Sequence, residues 1–257
     1  KGPKIFAQKR KKKLGKLWLK IKQICYKGKY SNGELRKALA EVFKDKKICE
    51  SSNLLCIPAF DIITATPRVF KRDYKKFTED NKKTYVDVAL ATSAAPTYLP
   101  IHNLESSQYV DGGVWANNPS LVGLMEFLYQ FADDERFNGV DILSISSLEV
   151  AQGNAPKRNC NSFIDWNENL IELFSIGQAK NMTKLFEFLD GKLKFPMNYV
   201  RITNEPLSAE HMKNISMDNA SESSLKILQS IGNATAIKAK MDPKVERFFT
   251  TGKTLYF

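Results

Sequence analysis

Short apolar runs of the buried-strand type alternate along this chain with longer segments of helical periodicity. The strand-like runs fall at 54–59, 68–70, 109–110, 140–146 and 199–202, and the helix-like segments at 32–43, 85–95, 119–131, 163–193 and 221–240. We expect the first run to continue through Ile63 toward Pro67, which should end it. Strands that alternate with helices of this length are typical of a layered α/β fold with a largely parallel sheet.

The positive charge is concentrated at one end of the chain. The net charge of +11 arises almost entirely within residues 1–30, which hold twelve Lys or Arg and no acidic residue. The rest of the chain carries 27 basic residues against all 28 acidic ones. The hydrophobic content of 43% over 257 residues is enough for one large domain or two small ones. No nucleic-acid-binding motif accompanies the basic residues, so we expect no nucleic-acid polymer as a partner.

The basic segment 1–30 also carries apolar residues whose spacing partly fits an amphipathic helix: Leu14, Leu17, Trp18, Leu19, Ile21 and Ile24. Such a helix could lie on an anionic membrane surface. It could equally pack its apolar side on the domain and leave its lysines in solvent. The sequence has no apolar run long enough to cross a bilayer and no segment that resembles a signal peptide. We therefore expect a cytoplasmic protein, with peripheral membrane contact through segment 1–30 as the alternative.

The cysteines and histidines do not form a metal-binding pattern. The four cysteines at 25, 49, 56 and 160 lack the paired spacing of a zinc site, and His102 and His211 are the two histidines of the chain. We therefore predict neither a metal nor another cofactor. A polar segment follows His102, which we interpret as a surface-loop residue. The acidic run 133–135 is interpreted as a solvated turn rather than a cation site.

The stretch 109–119, YVDGGVWANNP, places a carboxylate and two glycines at the end of an apolar run. An Asp-Gly pair is a strong hairpin signal and needs no function to explain it. In a layered α/β fold, however, functional residues gather where strands end at their carboxyl edge. Gly112 and Gly113 would allow backbone or substrate to approach Asp111 closely, and the Asn-Asn-Pro that follows is typical of a helix start. A plain turn and a catalytic carboxylate are both consistent with this stretch taken alone.

Two segments together resemble the patatin-like phospholipase family: ATSAAPTYLP at 91–100 and YVDGGVWANNP at 109–119. The residues from Phe60 to Phe70 are similar to the strand pair that precedes these segments in the family. The resemblance is strong over about residues 54–131. It implies a three-layer α/β fold, with a largely parallel central sheet flanked by helices, in a single domain over 1–257.

The resemblance also implies an activity. Members of the family are serine lipid acyl hydrolases that use a Ser-Asp dyad without histidine or cofactor, and Asp111 matches the dyad aspartate, supported by Gly112 and Gly113. A serine hydroxyl is a weak nucleophile, and a partly desolvated carboxylate can act as its base. The implied substrates are fatty-acyl esters of membrane phospholipids or related glycerolipids, cleaved in a phospholipase A type reaction.

The sequence departs from the pattern of the family in two places. The 257 residues contain neither the Gly-x-Ser-x-Gly nucleophile motif nor the glycine-rich oxyanion loop. Residues 144–148, SISSL, stand where many members carry Gly-Thr-Gly. Because both missing motifs lie upstream in the family, we expect the N-terminal part of the fold, with the nucleophilic serine, to lie outside this chain. Ser93 is interpreted as a packing residue, and Tyr98 and Trp115 as core residues that could alternatively line an acyl pocket.

The missing nucleophile leaves a second function open. The chain could belong to a catalytically inactive relative that binds a lipid surface or a nucleotide and has a regulatory role. It could also belong to an antiviral phospholipase that a cyclic nucleotide activates, as some bacterial members of the family are. The lysine-rich segment 1–30 is compatible with such a ligand.

Overall fold

A computed structural model of the protein describes residues 2–6, 29–149, 163–216 and 218–250. The chain divides into two compact units, Lys1–Asn117 (unit 1) and Asn118–Phe257 (unit 2). Most of the predicted amphipathic helix of segment 1–30 lies outside the described residues. No helix within the described ranges combines the length and apolarity needed to span a membrane.

Within its described residues, unit 1 combines short helices with four strands. Its elements in chain order are α1 (Gly2–Ile5), α2 (Gly33–Phe43), a 3-10 turn (Ile48–Glu50), β1 (Cys56–Asp61), β2 (Thr66–Lys71), α3 (Tyr85–Thr92), β3 (His102–Leu104), β4 (Ser107–Asp111) and α4 (Gly113–Ala116). The helix predicted over 32–43 is confirmed, but Asn32 makes no side-chain capping bond. Thr84 caps α3 by accepting a hydrogen bond from the Asp87 N–H at 3.1 Å.

The sheet of unit 1 has the order β2-β1-β4-β3, and every neighbouring pair in it is antiparallel. The prediction of a largely parallel sheet is therefore wrong for this unit. For the pairs β1–β2 and β3–β4 the physical reason is the length of the connections, because parallel neighbours need a crossover of about a dozen residues or more. Residues 62–65 join β1 to β2, and residues 105 and 106 join β3 to β4, so both pairs form hairpins.

The first hairpin explains why the boundary predicted at Pro67 is wrong. The Asp61 side chain accepts hydrogen bonds from the backbone N–H groups of Ile63 at 2.9 Å and Thr64 at 3.3 Å, which turns the chain directly after β1. Pro67 lies inside β2 opposite Phe60. Since β2 is an edge strand, a proline that cannot donate a hydrogen bond is tolerated there.

The core of unit 1 lies between this sheet and α3. Its buried residues are Ile48, Ala59, Phe70, Val88, Ala91 and Tyr109. The rings of Phe70 and Tyr109 meet edge to face with their centroids 5.2 Å apart. Helix α3 buries Val86, Val88, Leu90 and Ala91, as the small and apolar composition of 85–95 predicts. Small side chains let α3 pack closely against the strands.

Unit 2 contains five helices and two strands among its described residues. Its elements are α5 (Ser120–Gln130), β5 (Val140–Ile145), α6 (Phe163–Leu189), β6 (Met197–Ile202), α7 (Ala209–Asn214), α8 (Glu222–Lys240) and α9 (Pro243–Thr250). Strands β5 and β6 pair in parallel, from Val140 opposite Met197 to Ile145 opposite Ile202. The prediction of parallel pairing is confirmed here, where α6 supplies the crossover.

The core of unit 2 is formed by Leu124 of α5, Phe186 of α6 and Met197 of β6. The ring of Phe186 stacks on Tyr199 of β6 at a centroid distance of 4.2 Å. Helix α8 begins where its serine-rich sequence predicts, with the Ser221 hydroxyl accepting the Ser224 N–H at 3.3 Å.

His102 is not the surface-loop residue that the sequence suggested. It belongs to β3, pairs with Tyr109 and is only 4% exposed. Its Nε2 atom lies 3.6 Å from Asp87 Oδ1 and has no hydrogen-bond partner. Burial lowers the pKa of His102; the carboxylate of Asp87 acts in the opposite direction, and the charge of Arg36 lowers it further. A polar sequence flanking one buried position produced the wrong interpretation.

We expect His102 to make the stability of the fold depend on pH. Its folded pKa lies below the unfolded value of about 6.5, so its contribution is present above that value and is lost as the pH falls through the folded pKa. The urea concentration at the midpoint of unfolding should therefore decrease as the pH is lowered from 7.5 to 5. His102→Gln should flatten that slope, whereas His211→Gln, at an exposed position, should preserve it. An identical slope in the wild type and His102→Gln would contradict this assignment.

Candidate active site

Asp111 is the last residue of β4 and lies opposite Ala59 of β1. Its backbone N–H donates to the Ala94 carbonyl oxygen at 3.1 Å, which ties the strand end to the segment that follows α3. Its Oδ1 atom accepts the Gly113 N–H at 2.7 Å. The residue after β4 opens helix α4 rather than a hairpin, so the plain hairpin interpretation of Asp-Gly-Gly is wrong.

The Asp111 carboxylate is half-buried, and its surroundings change its proton affinity. Burial raises the pKa of Asp111 above the ordinary aspartate value, and the hydrogen bond from Gly113 offsets only part of that rise. A carboxylate with a raised pKa is a stronger base than a solvated aspartate. The position is thus suited to accepting a proton from a nearby hydroxyl group.

Gly112 is required by a close backbone approach. A Cβ atom at this position would lie 2.2 Å from the Pro58 carbonyl oxygen, well inside van der Waals contact. At Gly113 a Cβ would lie 3.1 Å from Asp111 Oδ1, so a side chain there would crowd the carboxylate itself. The two glycines therefore have different roles. Gly112 allows the chain to pass directly beside the Pro58 carbonyl of β1 as it leaves β4, and Gly113 keeps space beside the Asp111 carboxylate.

The end of α3 and the start of α4 are both attached to β1. The Thr92 hydroxyl donates to the Pro58 carbonyl oxygen at 2.6 Å, and the Trp115 indole N–H donates to the Ala59 carbonyl oxygen at 2.8 Å. The hydroxyl of Ser93, the residue directly after α3, donates to the Ala89 carbonyl oxygen of that helix at 2.6 Å, in keeping with a packing role. Tyr98 is buried, as expected for a core residue.

Unit 2 contains a polar cluster that the sequence did not indicate. At the start of α5, the Oδ1 atom of buried Asn118 accepts the Ser120 hydroxyl at 2.6 Å, and its Nδ2 donates to the Tyr199 hydroxyl at 3.3 Å. Arg201 Nη1 donates to the hydroxyl of buried Ser144 at 2.7 Å. Burial would raise the pKa of Tyr199, but hydrogen bonds from Ser144, Asn118 and Ser120 and the charge of Arg201 lower it.

The sequence contained polar residues near two strand ends, but it did not show that they come together. Ser144 and Arg201 lie near the carboxyl ends of parallel strands, where polar residues gather in α/β folds. Their adjacency depends on the β5–β6 register, which sequence spacing alone does not give.

No metal site is formed by the residues that the structure describes, since they contain no cluster of three or more potential ligands from His, Cys, Asp and Glu. The acidic run 133–135 lies in a turn, where Asp134 accepts from Arg136 Nε at 2.8 Å. This geometry matches the solvated turn predicted for it.

Comparison with known proteins relates this chain to a family. The sequence model described as "Patatin-like phospholipase" matches residues 3–124, which include Asp111. A "cGAMP-activated phospholipase" of Escherichia coli is 30% identical over 75% of this chain and 58% of its own length. A protein of the same description from Vibrio cholerae is 29% identical over 80% of this chain and 61% of its own length. "Patatin-like protein 1" of Oryza sativa subsp. indica is 26% identical over 90% and 61%.

The chain belongs to the patatin-like phospholipase family. It spans about three fifths of the length of the curated relatives it matches. In the structure, the hydrogen bond from the Asp111 N–H to the Ala94 carbonyl oxygen joins the two segments that resemble this family, 91–100 and 109–119.

The close approach at Gly112 leads to a stability prediction. Gly112→Ala should lower the free energy of unfolding by about 3 kcal/mol, because a backbone carbonyl cannot move aside as a flexible side chain can. Gly33→Ala is the matched control, since a Cβ there meets no atom within 4 Å, and we expect a change within about 0.5 kcal/mol. Urea unfolding followed by circular dichroism measures both. Equal stability of the two variants would contradict the close approach.

Proposed function

We propose that this protein is a lipid acyl hydrolase of phospholipase A type, in which Asp111 is the carboxylate of a Ser-Asp dyad. The substrates would be fatty-acyl esters of membrane phospholipids or related glycerolipids. The sequence carries no Gly-x-Ser-x-Gly motif, so the proposal takes the serine from a segment outside it. The single observation that carries the proposal is Asp111 itself, a half-buried carboxylate of raised pKa beside two glycines at a strand end.

The proposed reaction follows from the chemistry of that carboxylate. Asp111 accepts the proton of the serine hydroxyl as the serine oxygen attacks the ester carbonyl, and the leaving alkoxide receives that proton and departs as an alcohol. Water then attacks the acyl-serine in the same way and releases the fatty acid. Asp111 enters this cycle already oriented, because Gly113 holds one of its oxygens at 2.7 Å.

Regulation by a cyclic nucleotide is the second part of the proposal. Three of the relatives carry the description "cGAMP-activated phospholipase", and they share 26 to 30% of aligned residues with this chain. A nucleotide of that class is therefore the activator to test first. A catalytically inactive regulatory relative remains the alternative, and it would bind the nucleotide or a lipid surface without hydrolysis.

The location of the protein is also a proposal. We infer a cytoplasmic protein of one patatin-like domain that meets the membrane peripherally. The twelve basic residues of segment 1–30 support attraction to anionic lipid.

Asp111→Asn should abolish lipid hydrolysis and leave the fold intact. Burying an ionised carboxylate of raised pKa opposes folding at pH 7, so the amide should cost no stability and could increase it. Asp61→Asn is the matched control from the neighbouring strand. Burial alone would raise the pKa of Asp61, but hydrogen bonds from Ser107, Ile63 and Thr64 lower it, so this variant should lose stability.

The measurements are fatty-acid release from phosphatidylglycerol in mixed micelles and urea unfolding, both on the full protein that contains this chain. Hydrolysis by Asp111→Asn at a rate near that of the wild type would remove Asp111 from the dyad. Loss of stability in Asp111→Asn as large as in Asp61→Asn would instead make Asp111 a structural residue.

The raised pKa of Asp111 also predicts the pH dependence of the reaction. A base acts only when ionised, so the rate should rise with pH as Asp111 loses its proton. Because burial raises the pKa of Asp111, the acid limb of kcat/KM should lie above about 3.9, the value of an unperturbed aspartate. A profile of kcat/KM between pH 3.5 and 8 tests this expectation. A limb at or below the unperturbed value would contradict it.

A further inference from the structure

A short pairing joins Lys29 and Tyr30 to the segment that follows α3. The Lys29 N–H donates to the Thr97 carbonyl oxygen at 2.8 Å, and the Tyr30 N–H donates to the Tyr98 carbonyl oxygen at 2.9 Å. Thr97 and Tyr98 belong to the same segment as Ala94, whose carbonyl oxygen accepts the Asp111 N–H. Lys29 is therefore attached to the segment that holds the proposed catalytic carboxylate in place.

The side chain of Lys29 is positioned by two aromatic rings. Its Nζ atom lies 5.5 Å from the ring centroid of Tyr98 and 5.9 Å from that of Tyr30. Both distances are within the range of cation–π attraction. Tyr98 is only 8% exposed, and the ring of Phe6 packs edge to face on Tyr30 at 5.2 Å. Attraction to two rings therefore restricts the positions of the ammonium group, whereas most lysines on a protein surface sample many positions.

The backbone at this contact is strained. Thr97 has φ of 71°, a left-handed conformation that β-branched residues avoid. Such strain persists only where the surrounding structure imposes it, and it concentrates at functional sites. Here the strained residue presents its carbonyl to Lys29. Strain alone would not identify a site. Here, however, the strained residue lies in the segment that carries Ala94, and the positioned cation of Lys29 pairs with that segment.

We propose that Lys29 binds the phosphate group of a glycerophospholipid whose acyl ester is cleaved at Asp111. This inference rests on the proposed hydrolase function. In a glycerophospholipid the phosphate and the acyl esters are attached to one glycerol, so a cation that binds the phosphate must lie close to the site of cleavage. Lysine acts as a point charge with three N–H donors, and phosphate oxygens are strong acceptors for them. Lys29 would then give specificity for phosphorylated over neutral glycerolipids.

The test compares two substrates with the same acyl chains, phosphatidylglycerol and diacylglycerol, in the same neutral detergent micelles. In Lys29→Gln we expect KM for phosphatidylglycerol to rise about tenfold, while kcat/KM for diacylglycerol stays at the wild-type value. Lys29→Arg keeps the charge and should recover most of the loss. Lys76→Gln removes one charge from an exposed lysine of the same unit and should change neither substrate.

Three results would overturn the inference. An equal loss on both substrates in Lys29→Gln would make Lys29 a structural residue. Unchanged KM for phosphatidylglycerol in that variant would show that it makes no contact with the phosphate. An effect of Lys76→Gln as large as that of Lys29→Gln would assign the difference to general surface charge. A wild type that hydrolyses neither substrate, with the activating nucleotide present, would instead contradict the proposed hydrolase function.

Discussion

The contact between Gly112 and the Pro58 carbonyl is the constraint on which the geometry of unit 1 depends. The same carbonyl oxygen accepts the Thr92 hydroxyl from the end of α3, and the next one along β1 accepts the Trp115 indole from α4. Two consecutive peptide groups of β1 therefore hold both segments that flank Asp111 in space. Any side chain at residue 112 would separate them. The orientation of the carboxylate is thus set by the fold itself, and such preorganisation is what the proposed catalytic role of Asp111 would require.

Two carboxylates on neighbouring strands of one sheet show how local partners decide a role. Asp61 turns the chain after β1, and its hydrogen bonds stabilise the ionised form enough to lower its pKa despite burial. Asp111 accepts a backbone hydrogen bond from the Gly113 N–H, and burial raises its pKa. The first arrangement stabilises the hairpin. The second keeps a carboxylate in a state that costs folding energy, and a cost of this kind is typical of functional positions.

Local signals in the sequence predicted most of the elements, whereas pairing required the structure. Helix α3 follows from the small residues of 85–95, and the start of α8 follows from Ser221. The alternation of strands and helices suggested parallel pairing throughout, but among the described strands only β5 and β6 pair in parallel across an intervening helix. For β1 and β2 the decisive feature was the Asp61 side chain, which accepts hydrogen bonds from backbone N–H groups up to three residues further along and so turns the chain. The sequence pattern had predicted that the strand continues through Ile63, across this turn. The Asp111 motif was identifiable because its residues are contiguous, whereas Lys29 meets the segment after α3 through tertiary contacts that sequence spacing does not give.

The polar cluster of unit 2 illustrates a different use of buried polar groups. Arg201 donates to Ser144, and its other nitrogens donate to Glu149 Oε1 at 2.6 and 3.2 Å, so the guanidinium charge is paired inside the unit. Asn204 in turn binds the backbone of Glu149 on both sides, through its Oδ1 and its Nδ2. A connected network of this kind makes a structure rigid, because removing any member leaves a buried group without its partner. Ser144 supplies the hydroxyl that accepts the hydrogen bond from Arg201 Nη1, so the arginine depends on it. Because Ser144 and Arg201 lie opposite each other on β5 and β6, replacing either one would leave the other without this hydrogen bond, so these two positions are best understood as a pair.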